Sequence, residues 1–91
     1  MEYRVEFPDF DDYEWAEIEA KGWLEGVRVI WGDNEVSLAI FDEVRLAQEI
    51  GVDLRTVGYF AARSLVVIPS VTKDEIERAV GRLAKRRSLD V

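Results

Sequence analysis

Two alternating runs meet across a turn near the middle of the chain. Val27, Val29 and Trp31 occupy every second position, Gly32-Asp33-Asn34 follows, and Val36, Leu38 and Ile40 resume the alternation. Alternate side chains point to opposite faces of a strand, so each run offers one apolar face. Gly, Asp and Asn tolerate the backbone conformations that tight turns demand. The pattern predicts a β-hairpin over residues 27–41, and a half-apolar hairpin must find something to cover it.

The cover is legible on the C-terminal side. Asp42 is placed as an N-cap, Phe41 and Leu46 as a hydrophobic staple, and Gly51 as the left-handed residue that ends a helix. Val44, Ala47 and the Leu46–Ile50 pair provide its inward face, with Arg45 and Glu49 one turn apart. Thr72 and Glu75 form a capping-box pattern with Val71 and Ile76 at staple positions, and Ile76, Ala79, Val80 and Leu83 make one apolar stripe. Between these helices, Leu65-Val66-Val67-Ile68 reads as a buried strand closed by Pro69, and residues 52–63 read as loop plus a short edge strand.

The N-terminal side is less decided. Tyr3, Val5 and Phe7 alternate with Glu2, Arg4 and Glu6, which predicts a strand over residues 2–7 ended by Pro8. Asp9 to Asp12 reads as a loop. Residues 13–20 fit a strand with Ala16, Ile18 and Ala20 on one side; their early acids and the Lys21-Gly22 ending fit a helix. The apolar residues make no clean helical stripe, so strand is the preferred reading. The expected fold is α+β, a small antiparallel sheet with a central β-hairpin and two helices packed on one face.

Length and composition narrow the function classes. Ninety-one residues suit a single α+β domain over 1–91, and 48% hydrophobic content with ten aromatics is enough for one core. There is no cysteine, hence no disulfide and no thiolate metal site. There is no histidine either, which removes the commonest general base and the usual catalytic triads. No run approaches a membrane span of roughly 20 apolar residues, and no apolar signal core opens the chain. A cytoplasmic protein that is not an enzyme, needs no cofactor and avoids membranes is the resulting expectation.

Charge is distributed unevenly. Residues 1–53 carry 15 acids against four bases, while residues 54–91 carry four acids against eight bases. The densest stretch is Asp9, Asp11, Asp12, Tyr13, Glu14, Trp15, Glu17 and Glu19, with six acids and no base. Carboxylates beside Tyr and Trp suit a surface that meets a basic protein, the charges steering encounter and the aromatics giving contact area. The plainer alternative is a solvated segment whose aromatics join the core. A calcium loop is excluded, because counting from Asp9 the sixth position is Glu14 and the twelfth Ala20, where that motif needs Gly and Glu. Arg78, Arg82, Lys85, Arg86 and Arg87 are read as complements to a helix C-terminus rather than as phosphate contacts, since the acidic remainder would repel a nucleic acid. Trp15, Trp23 and Trp31 are read as core residues on separate elements.

The stretch Phe41-Asp42-Glu43-Val44-Arg45-Leu46-Ala47-Gln48-Glu49-Ile50, after a hairpin and before Leu65-Val66-Val67-Ile68-Pro69, resembles small uncharacterised bacterial proteins. Those carry a Phe-Tyr-Asp-Pro-Val-Arg-Leu-Ala-Gln stretch and a Val-rich strand before the last helix. The resemblance covers the C-terminal two-thirds; the Tyr is missing and Glu43 stands for the Pro. It implies no activity. In general character, small and acidic without catalytic residues, the chain is similar to bacterial immunity proteins. The leading expectation is an acidic immunity-type inhibitor whose partner is another protein with a basic surface; the alternative is a homo-oligomeric accessory subunit, acidic half against basic helix.

Overall fold

The computed structural model describes residues 2–87 and Leu89. Seven elements follow one another: β1 (Arg4–Glu6), α1 (Asp12–Lys21), β2 (Trp23–Trp31), β3 (Asn34–Phe41), α2 (Glu43–Thr56), β4 (Leu65–Val67) and α3 (Lys73–Lys85). The strands form one sheet in the order β1-β2-β3-β4. The α+β class and the central hairpin are as the sequence predicts.

The hairpin is longer than its alternating runs. β2 pairs with β3 from Trp23 opposite Phe41 to Trp31 opposite Asn34, with a bulge between Glu25 and Val27. The bulge shifts the alternation by one residue, so Leu24 and Val27 both face inward and both are buried. β1 adds antiparallel to β2, Val5 lying opposite Val29. β4 instead runs parallel to β3, Ile40 beside Val66. The sheet is therefore mixed, because the connection through α2 returns the chain to the starting end of β3.

One sheet face holds the core. Val27, Val29, Leu38 and Ile40 lie there with Val71, Ile76, Val80 and Ala84, all at most 6% exposed. α3 is amphipathic and lays Ile76, Val80 and Ala84 onto the sheet, with Ala79 and Leu83 half-buried beside them. Thr72 caps it by accepting from the Glu75 amide at 3.2 Å. The reciprocal half of the expected capping box is replaced, since the Glu75 carboxylate turns to Arg78 at 2.5 Å.

Several readings of the sequence are corrected. Residues 13–20 are helical within α1, because both ends are capped. Asp11 accepts from the Glu14 amide at 2.8 Å, the Glu14 carboxylate returns to the Asp11 amide at 3.3 Å, and Gly22 adopts φ 80. No residue of α1 is fully buried, which is why its sequence shows no stripe. Asp11 and Asp12 accordingly belong to a helix start rather than a loop.

α2 continues past Gly51 to Thr56, and residues 57–64 contain no strand. The helix ends at Val57, and Gly58 takes the left-handed conformation instead, its amide donating to the Asp53 carbonyl at 3.0 Å. Val44 and Ala47 are exposed rather than inward; Leu46 and Ile50 form the half-buried side. β4 is an edge strand with Val67 exposed, and only Ile68, just after it, is buried. β1 is shorter than residues 2–7 suggest, with Tyr3 exposed before it.

Candidate functional site

Helix formation sorts the acidic–aromatic segment into two sides. Trp15 and Ile18 are three residues apart and point inward. Trp15 meets Phe7 and Phe10 edge-on, with ring centroids 5.6 and 5.4 Å away. Its indole thereby completes the core margin instead of standing free. Tyr13 takes the opposite direction and is 73% exposed.

The carboxylates of α1 lie on both flanks of the helix, Glu14 and Glu17 lining a recess with Lys21, and Asp12 and Glu19 lining another with Lys73. Asp9, Asp11, Asp12, Glu14, Glu17 and Glu19 are all exposed. None of the six is in an ion pair among the described residues, whose five bridges use Glu6, Glu35, Glu49 and Glu75 instead. Asp11 and Glu14 have structural work as the reciprocal cap. Asp9, Asp12, Glu17 and Glu19 have no such role and remain as a solvent-facing anionic surface. Of the residues singled out in the sequence, Asp9 lies just before α1, the other carboxylates and Tyr13 lie on its exposed sides, and Trp15 is turned inward.

The opposite sheet face carries the chain's ion network. Arg28 on β2 bonds Glu6 on β1 at 2.7 Å and Glu35 on β3 on the other side, while Arg4 reaches Glu6 at 3.2 Å. The Glu35 carboxylate, by hydrogen bond and then by charge, raises the Arg28 guanidinium above its ordinary value. At one corner of the same face Trp23 stacks on Phe41 at 6.4 Å, and Arg45 of α2 lies 5.8 Å above the Trp23 ring. Trp23 is thus the one tryptophan outside the core side.

A groove of about 640 Å³ runs between β4 and α3, with Val66, Ile68 and Leu83 on its apolar side and Arg78, Arg82 and Arg86 on its polar side. The sequence accounts for these arginines as complements to the helix dipole, and Arg82 does lie in the last turn. Their spacing of four residues was the available sign that they share one helical face. Among the described residues no group of three His, Cys, Asp or Glu side chains gathers to hold a metal ion. No described helix is long and apolar enough to cross a membrane.

No protein-family model, curated protein or solved structure matches the chain.

Proposed function

We propose that this domain is a non-catalytic protein-interaction module, an acidic immunity-type inhibitor that covers a basic surface on a toxin or effector protein in the bacterial cytoplasm. One observation carries the reading: Asp9 just before α1, and Asp12, Glu17 and Glu19 on it, are exposed and form no ion pair among the described residues, on a helix that is capped at both ends and also exposes Tyr13. Like charges gathered on one element repel one another, and a cationic partner relieves that repulsion. A rigid helix also presents them without the ordering cost that a loop would add on binding.

The mechanism is occlusion. Carboxylates of α1 pair with Lys or Arg around the partner's functional surface, and Tyr13 supplies the buried contact. Trp15 acts behind it, holding α1 at its place on the core.

The experiment uses the full chain as bait in native lysate and compares it with a variant carrying Asp9→Asn, Asp12→Asn, Glu17→Gln and Glu19→Gln. A protein captured by the first and lost by the second is then measured for association rate against salt. The expected result is an on-rate that falls steeply for the variant and converges with wild type as the Debye length drops to about 10 Å near 0.1 M salt and below. Equal on-rates for the two proteins at low salt overturn the reading.

A further inference from the structure

Like α1, α2 contributes no buried residue, although it is the longest helix. Its inner side, Leu46 and Ile50, is only half-buried, and its outer side repeats an apolar pattern with a period of its own. Val44, Ala47, Gly51 and Leu54 follow one another by three, four and three residues, the spacing of a helix-pairing seam. Val44 is 68% and Leu54 55% exposed.

We propose that this seam is covered by a second copy of the same chain, the two α2 helices packing antiparallel about a two-fold axis. The argument is self-complementarity, which a two-fold interface requires. Set antiparallel about the centre of the seam, Val44 lies opposite the other copy's Leu54 and Ala47 opposite its Gly51. The same register places Glu43 opposite Arg55. These two charges are the acid of the first turn and the base of the last turn, both exposed, and neither forms an ion pair within the described chain. Each large residue therefore meets a large one at the ends, small meets small in the middle, and acid meets base twice. A parallel pairing sets Glu43 against Glu43 and Arg55 against Arg55.

Gly51 is the independent sign. Its backbone is helical and needs no glycine, and glycine is among the poorest helix formers. Within one chain a Cβ there meets only the Arg55 Nη1 atom at 3.2 Å, the far end of a flexible side chain. A glycine opposite an alanine instead lets two helix axes approach closely. Arg55 lies over Gly51 in the single chain and swings toward Glu43 of the second copy as the helices close.

The size of the contact sets the strength. Fourteen residues make a helix about 21 Å long, so the pair buries less than the roughly 1,600 Å² of a standard stable interface. Val57 and Tyr59, 61% and 65% exposed just past the helix end, extend the apolar strip. The dimer is therefore a weak one that forms with rising concentration. It leaves α1 free and does not depend on the inhibitor reading.

Sedimentation equilibrium of the full chain up to millimolar concentration tests association. Wild type is expected to dimerise and Leu54→Glu to remain a monomer with an unchanged circular dichroism spectrum. Glu43→Arg is expected to weaken the dimer about tenfold, and adding Arg55→Glu to restore it, because two symmetric ion pairs are inverted and then rebuilt. Register is read separately, since the chain has no cysteine. When Ala47→Cys and Gly51→Cys proteins are mixed and oxidised, the mixed disulfide should exceed both homodisulfides. A wild-type monomer at every concentration overturns the proposal. So does a dimer that survives Leu54→Glu, or homodisulfides that predominate.

Discussion

Asp42 closes on Gly22. The Asp42 amide donates to the Gly22 carbonyl at 2.8 Å, and the Asp42 carboxylate fills the space where a side chain on Gly22 would begin. Gly22 ends α1 at φ 80, and Asp42 starts α2 by accepting from the Arg45 amide at 2.7 Å. The ends of two helices are thus locked together at the corner where β2 begins and β3 finishes. Gly22→Ala should cost about 3 kcal/mol in urea unfolding, combining a left-handed non-glycine residue with a displaced cap. Gly58→Ala is the control: φ is 86 there, but the space is open. It should cost about 1 kcal/mol.

Trp15 and Tyr13 should separate cleanly in stability. Trp15→Ala removes an indole packed against two phenylalanine rings and should destabilise by about 3 kcal/mol. Tyr13→Ala alters an exposed ring and should shift stability by less than about 0.5 kcal/mol. Equal losses in thermal or denaturant melts would mean that α1 is rotated from the position described.

Leu38 is 2% exposed at the centre of β3. Leu38→Asp places an unpaired carboxylate in the core at a cost of several kcal/mol, enough to unfold a domain of this size. Its neighbour Ser37 faces the other side and is exposed. Ser37→Asp should leave a folded protein with native near-ultraviolet dichroism, and a folded Leu38→Asp protein would show the strand faces to be reversed.

Thr72 accepts from the Glu75 amide at the start of α3. Thr72→Ala should cost about 1 kcal/mol, whereas Thr72→Ser should be nearly neutral because the accepting oxygen is retained. Guanidinium melts of both variants check the pair; equal midpoints would place the helix start elsewhere.

What the sequence by itself determined were the parts whose signals are local. Val27 to Ile40 alternate across a Gly-Asp-Asn turn, so the hairpin and its buried face follow from backbone geometry alone. Thr72 with its apolar stripe, and Asp42 with its cap, likewise mark helix starts through bonds made within four residues. Tertiary structure decided the rest. In α1 the capping pair Asp11–Glu14 was as local as the others, yet Trp15 and Ile18 are the only inward residues, too few to write a period. The parallel course of β4 depends on how far α2 carries the chain before it turns at Gly58, and Leu65 to Val67 read the same in either direction. The same dependence hid the outer seam of α2. Val44 and Ala47 look like core residues to any pattern of apolar spacing, because spacing tells which residues share a face of a helix and not which face the sheet will cover.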